Sequence, residues 1–559
     1  MTPAPTVPPP QLIATTPARL GLAAALIIVA FGLLVLIPGI LPSTRTLSSH
    51  EVLAAQPARE MLSDGHWIIP TYLNVPRLEK PPTTGWLIAA SMALFRSDSE
   101  WAVRLPSLFS AIACSLIIAA LAARWLGQTV GLLAGLLQLT TVWVQTQANL
   151  AEADMPLAAA VTLAFALFAL GNVPHPAGTC DNPWLRRAFM AALGLAFLFK
   201  GPIALAFILG GCVFYILLSR QWRQFRFFSD PWGILLLLAI VAAWPIAAFK
   251  AYPAIMVTWK QEIFGYADGE TFGLPSPFWQ YFVNIPLMLM PWFLAAIPAG
   301  IATGRRQLHR RPLALFLACW FLPGMCLLQF ASYKSNHYTF PLLPPFSIVL
   351  AAGLVIWLRQ QYTRPLVPRR FTAIAIVAAA VGGITWLALY KSDLPRSIAA
   401  IIAITAAGLL AVVYMEHRRR LNAKIVLLFA TVAFAVIAAD LRVIPRLPGM
   451  RSRIEFAQRI NATVGPGPTV YLVGFATDEI TWYLRDPLRR IDSVKDFAQT
   501  PLSPQGVIAL TRRASIPELQ EHFRVQELDT ITIPAKADLK EHEAKRPVLV
   551  RLSPLDPQP

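Results

Sequence analysis

The chain has 559 residues, of which 56% are hydrophobic and only 14% charged, and its mean hydropathy is +0.54. A soluble protein of this size carries about a quarter charged residues, so most of this chain lies in lipid. The net charge of +18 does not mark a nucleic-acid binder, because the last 119 residues hold 17 Lys/Arg against 14 Asp/Glu and the excess falls in short loops between apolar runs. A Pro-rich N-terminal segment reads as disordered. Windows of about 20 apolar residues then predict thirteen spans, near 20–42, 105–123, 128–147, 153–171, 187–199, 202–219, 231–249, 281–303, 312–331, 338–358, 371–390, 397–415 and 424–440. The run 86–95 is too short to cross and reads as an interfacial or re-entrant helix. No small-residue cleavage signal follows the first span, which is expected to be retained.

Orientation follows from Lys/Arg in the loops. Alternate connections carry Arg124, then Arg186 and Arg187, then Arg220, Arg223 and Arg226, then Arg305, Arg306, Arg310 and Arg311. The pattern continues through Arg359, Arg364, Arg369 and Arg370 to Arg418, Arg419, Arg420 and Lys424. Residues 1–19 are therefore expected in the cytoplasm, 20–440 in the membrane domain and 441–559 outside. The outer side also holds the segments 43–104 and 250–280. In the tail, "TVYLVGF", "GVIALT", "VQELDTITI" and "PVLVRL" read as strands, and 450–463 and 515–523 have helical spacing. Together they predict a small extracytoplasmic α/β domain, with no cysteine and so no disulfide framework. The fold class expected is a polytopic α-helical membrane protein carrying that domain.

Polar residues able to do chemistry gather at the outer mouths. In "SSHEVLAAQPAREML", Ser48 and Glu51 fit a capping box, and Glu51 is equally a carboxylate at headgroup height. In "PRLEKPPTTGW", Glu79 and Lys80 precede two prolines that hold the backbone extended. Arg77 and Lys80 in such a rigid loop suit a lipid phosphate. In "NLAEADMPLA", Asp154 stands at the start of a span, either as an ordinary helix N-terminus or as a working carboxylate, since a charge there is costly unless used. Lys200, Glu262, Lys334, His337 and Tyr338 fall on the same face. His50, Glu51, Glu79 and His337 are the candidates for a divalent metal, without a dense spacing such as H-E-x-x-H, and no cofactor is required.

The motifs "HEVLAAQPAREML", "NVPRLEKPP", "EADMPLA", "FLFKGP", "QEIFG" and "HYTFPLLPP", in this order and on one face, resemble the GT-C glycosyltransferases that take sugar from a polyprenyl-phosphate carrier. Within that group the likeness is to the aminoarabinose transferases acting on lipid A and the related protein O-mannosyltransferase superfamily. The resemblance implies a GT-C fold, a catalytic carboxylate in the first outer loop at "HE", a second at Asp154, and carrier-phosphate contacts at Lys80 beside Glu79. It implies a polyprenyl-phosphate sugar donor, a pentose such as 4-amino-4-deoxy-L-arabinose being one such sugar, and a lipid A, lipopolysaccharide or other glycan acceptor. The setting implied is the periplasmic face of a bacterial inner membrane. This chain departs from the family in having His50 before Glu51 where Asp precedes Glu, Ala54 and Gly85 where tyrosines are common, and Ile263 where a histidine often follows Glu262. Three rivals remain: a protein O-glycosyltransferase; a lipid transporter, which the lack of an internal repeat disfavours; and a non-catalytic envelope protein whose tail binds a partner.

Overall fold

The computed structural model describes residues 19–42, 45–78, 80–260, 276–295, 312–331, 334–363, 396–417, 421–446, 452–474, 479–485, 487–499, 506–531 and 546–555. The chain begins with α1 (Leu22–Ile40), α2 (Ser49–Asp64), a hairpin of β1 (Thr71–Tyr72) and β2 (Val75–Pro76), α3 (Thr83–Phe95) and α4 (Glu100–Leu126). Next come α5 (Gln128–Leu139), α6 (Val142–Gln147), α7 (Asp154–Asn172), α8 (Pro183–Lys200), α9 (Pro202–Ser219) and α10 (Pro231–Ala251).

Among the described residues, seven helices are long and apolar enough to cross a membrane: α1, α4, α7, α9, α10, Pro312–Gln329 and Ala423–Val443. An eighth candidate, Asn336–Leu342 with Pro344–Ile356, is bent by 61°. Helices also occupy the predicted spans 187–199 and 397–415, whereas 371–390 and the latter part of 281–303 lie outside the described residues.

The predicted continuous span 128–147 is instead broken between α5 and α6. The Thr140 hydroxyl donates to the Leu136 and Leu137 carbonyls, and that of Thr141 to Gln138. Such hydroxyls compete with the helical ladder, and the next amide, Val142, turns to the Met290 carbonyl at 2.9 Å.

Small residues let these helices close on one another. A Cβ on Gly131 of α5 would sit 2.6 Å from the Ala119 carbonyl oxygen of α4. Buried side chains of α1, α4, α5, α7, α8 and α9 form one apolar core. α10, by contrast, leaves Trp232, Leu235, Leu238, Ile246 and Phe249 exposed, as a helix facing lipid does.

Beyond the last membrane helix, helix Ser452–Val464 precedes a five-stranded sheet. Its strands are β3 (Val470–Val473), β4 (Leu488–Ile491), β5 (Val507–Arg512), β6 (Phe523–Thr530) and β7 (Pro547–Pro554), in the order β4-β3-β5-β7-β6. β3 pairs in parallel with β4 and β5, and β7 runs antiparallel to β5 and β6. Helix Ser452–Val464 packs Phe456, Ala457 and Ile460 into a core that continues through Leu472, Leu510 and Leu549 to Val52, Ala55 and Met61 of α2. The sheet is thereby seated on the segment that carries α2.

Candidate active site

The sequence of α2 dictates its start. Ser48 accepts from the Glu51 amide at 3.2 Å and the Glu51 carboxylate accepts from the Ser48 amide at 2.8 Å, a complete capping box. The same carboxylate also accepts from Arg104 Nε at 2.7 Å, from Arg104 Nη2 at 3.2 Å and from the Ala151 amide at 3.0 Å. Both charged side chains are fully buried. Burial pushes the Glu51 carboxyl up, but the Arg104 guanidinium outweighs it and holds Glu51 below the usual carboxylate range. With four donors on two oxygens, Glu51 is occupied. It joins the α2 N-terminus, α4 and the segment leading into α7.

A second buried carboxylate on α2 shapes the loop that follows. In the hairpin, Leu73 and Asn74 occupy the two turn positions with φ of 52° and 63°, a conformation that costs a non-glycine residue. Glu60 offsets that cost by accepting from the Leu73 amide at 2.7 Å, the Asn74 amide at 3.3 Å and the Thr71 hydroxyl at 2.5 Å. The Arg77 amide then closes on the Pro70 carbonyl at 2.7 Å, which sets the course of the chain toward Lys80. The two small residues at family aromatic positions are neighbours here: a Cβ on Gly85 would lie 3.0 Å from Met61 Cε and 3.9 Å from the Ala54 carbonyl. A tyrosine at Gly85 would collide with Met61, so the smaller residue lets α3 lie close on α2.

Asp154 opens α7 and is 6% exposed. Lys200, the last residue of α8 before Gly201 turns the chain at φ 66°, donates from Nζ to Asp154 Oδ1 at 2.5 Å. The same ammonium lies 5.0 Å from the centre of the Tyr338 ring, within cation–π range. Asp154 lies within electrostatic reach of Lys200, His337 and Lys80, and His337 within reach of His50 and Lys80. His337 is oriented by Ser335 Oγ at 2.7 Å from Nδ1 and by the edge of Tyr338. Six residues from five separate stretches, His50, Lys80, Asp154, Lys200, His337 and Tyr338, thus converge.

Lys334 is placed differently, with its buried Nζ donating to the Ala331 carbonyl at 2.8 Å. Arg77 is half-buried. Glu79, Glu262 and Ile263 lie outside the described residues. Among the described residues, no group of three or more His, Cys, Asp and Glu is gathered as for a metal ion.

Two buried charged residues beside the site are not singled out in the sequence, Arg104 and Glu152. Arg104 was signalled by a lone arginine at the edge of an apolar run, "WAVRLPSLFS", where a charge needs a partner. Glu152 stands two residues before Asp154 in "AEADMP". Burial, and then the charges of Asp154 and Glu51, push its carboxyl up to about 8. Beside Asp154 and Glu51, both paired with cations, Glu152 keeps its proton at neutral pH.

Comparison with known proteins places the fold among solved structures. Residues 79–249 match the family described as dolichyl-phosphate-mannose-protein mannosyltransferase, a stretch that includes Lys80, Arg104, Glu152, Asp154 and Lys200. The crystal structure of apo ArnT from Cupriavidus metallidurans aligns with 95% of this chain and 98% of its own, with TM-score 0.76 and 20% identity. The chain has an ArnT-like fold. The structure of the same Cupriavidus protein bound to undecaprenyl phosphate gives a TM-score of 0.75 over the same shares, at 20% identity. By sequence, the undecaprenyl phosphate-α-4-amino-4-deoxy-L-arabinose arabinosyl transferase of Enterobacter sp. (strain 638) is 28% identical over 329 residues, 58% of each chain. The second such enzyme of Proteus mirabilis (strain HI4320) is 28% identical over 348 residues, 61% of each. The chain thus spans about three-fifths of the length of these curated relatives, and the resemblance drawn from the short motifs is to the same group.

Proposed function

We propose that the chain is an integral-membrane glycosyltransferase that moves a sugar from a polyprenyl-phosphate carrier to lipid A or another envelope acceptor. The observation that carries this reading is the Asp154–Lys200 pair, ringed by Lys80, His50, His337 and Tyr338. It sits in a fold that, in Cupriavidus ArnT, was crystallised with undecaprenyl phosphate. The names of the curated relatives support a sugar of the 4-amino-4-deoxy-L-arabinose class. The reading includes thirteen spans, a cytoplasmic N-terminus and a periplasmic C-terminal domain at the inner membrane.

The chemistry follows from the groups present. A bond forms between the acceptor oxygen and the anomeric carbon as the bond from that carbon to the carrier phosphate breaks, and the electron pair leaves with the phosphate. Lys200 and Lys80 receive the charge developing there, so that departure needs no acid. Asp154 fixes the Lys200 ammonium and places negative charge beside the carbon as it becomes electron-poor. With a hydroxyl acceptor the proton passes to Glu152, whose affinity for it is matched to neutral pH. Glu51, with every oxygen engaged, acts through the residues it holds. Arg77, Glu79, Glu262, Lys334 and a divalent metal near His50, Glu79 and His337 remain candidates for carrier contacts.

The match to a protein mannosyltransferase family favours a second reading in which the acceptor is a Ser or Thr hydroxyl. Mass spectrometry of lipid A and envelope proteins from deletion and complemented strains separates the two. A pentosamine-sized mass on lipid A that disappears on deletion supports the first. A sugar lost from protein alone supports the second, and no change in either overturns both.

A further inference from the structure

We propose that the C-terminal domain is a working part of this site and that Tyr483 is the positioning residue that couples the two. The proposal rests on the glycosyltransferase reading for its kinetic consequence but not for its structural one.

The segment 45–51 has irregular backbone until α2 begins, at the level where apolar spans meet water. Its amides and carbonyls must find partners. One set comes from the membrane domain: the Arg104 guanidinium donates to the Thr46 carbonyl at 3.0 Å and the Arg45 carbonyl at 3.4 Å while gripping Glu51. The other comes from a residue more than four hundred positions away. The Leu47 amide donates to the Tyr483 hydroxyl at 2.9 Å, and that hydroxyl donates to Glu100 Oε1 at 3.0 Å. Glu100 lies one turn before Arg104 on α4, so Tyr483 and Arg104 tie the same loop to the same helix from two sides. Burial, reinforced by the Glu100 charge, pushes the phenol well above its usual range, so it remains the neutral donor and acceptor this bridge needs.

The surrounding contacts set Tyr483 in place. The Ser49 amide donates to Glu479 at 3.2 Å, and Arg453 pairs with the same carboxylate. The Arg59 guanidinium lies 3.5 Å over the Trp482 ring, and the Tyr72 and Thr481 hydroxyls meet at 3.0 Å. Asn461 of helix Ser452–Val464 donates to the Tyr483 carbonyl at 2.9 Å. From Tyr483 the path to the reacting groups is short: Leu47 abuts the capping box, Glu51 of that box holds the Ala151 amide, and Ala151 leads directly into Glu152 and Asp154. Apolar burial alone would seat the domain, but a half-buried hydroxyl bonded both ways fixes one register of the loop.

The test uses the purified full-length chain in lipid nanodiscs and the variant Tyr483→Phe, which keeps the ring and removes only the oxygen. With undecaprenyl-phosphate aminoarabinose as donor, kcat is expected to fall about tenfold while the donor KM stays within about twofold, as misplacement of a bound substrate predicts. Hydrogen exchange is expected to speed up by about tenfold in peptides covering 46–51 and 150–154, with β5 and β7 unchanged. Unchanged exchange in those two peptides would overturn the proposal. So would equal loosening of β5 and β7, which would signify general destabilisation. A wild-type chain that does not turn over this donor would count against the proposed function, leaving the exchange comparison to decide the role of Tyr483.

Discussion

Two carboxylate–cation pairs stand at the same end of the helices, and their surroundings divide them. Glu51 and Arg104 are fully buried, meet at 2.7 Å and spend their remaining hydrogen-bonding capacity on backbone. Asp154 and Lys200 meet through a single bond, with 19% of the lysine side chain exposed and Lys80 and His337 acting on the same carboxylate. A carboxylate with every lone pair committed cannot accept a substrate or a proton without breaking the fold. One held at a single point can exchange its partner for a ligand. On the proposed reading, equivalent residue types serve architecture in one place and chemistry in the other.

The largest effect expected is on turnover. Asp154→Asn should lower transfer by about 10²- to 10⁴-fold while the melting midpoint of the purified protein moves by only a few degrees; near-normal turnover would remove Asp154 from the chemistry. Glu51→Gln should do the reverse and act first on folding. It leaves Arg104 buried without its countercharge, at a cost of about 3–5 kcal/mol, to be read by thermal or chemical unfolding. Adding Arg104→Gln should return part of that loss, because the stranded charge goes with it. A Glu51→Gln protein of normal stability but without turnover would make Glu51 the catalytic carboxylate after all.

The smallest effect concerns Glu152. Its carboxyl is raised from 4.5 to about 8, so its basic form grows as pH rises through about 8. Transfer to a hydroxyl acceptor should rise over the same range, and Glu152→Gln should flatten that limb of the profile. The sign for stability is opposite. Between 4.5 and about 8 the folded chain keeps a proton that the unfolded chain has released, so this group lowers stability as pH rises across that window. A wild-type profile with no limb near 8 would show that Glu152 does not titrate during turnover.

Much of the membrane architecture was legible in the chain because lipid imposes a simple rule: about 20 apolar residues for each crossing. The rule fails where local chemistry competes, as at Thr140 and Thr141, whose hydroxyls end α5 inside what reads as one span. The capping box was legible because its partners are three residues apart. Lys200 and Asp154 were legible as charges that apolar surroundings make expensive, although their partnership crosses 46 residues. Lys334 looked equivalent to Lys200 in the sequence, yet its ammonium is turned back to a carbonyl three residues earlier.

The sequence by itself determined which segments are apolar enough to cross a membrane, where several helices begin and that polar side chains gather at helix ends. Those properties come from hydropathy and from contacts within a few residues. Only the tertiary structure decided which of the charges found one another. Arg104 neutralises Glu51 across 53 residues and Tyr483 braces the loop before it across 436, and Glu152 is raised by burial and then by the carboxylates that α2 and α7 bring beside it. Such pairings depend on distance and burial in three dimensions, where the strength of a charge is set by what surrounds it.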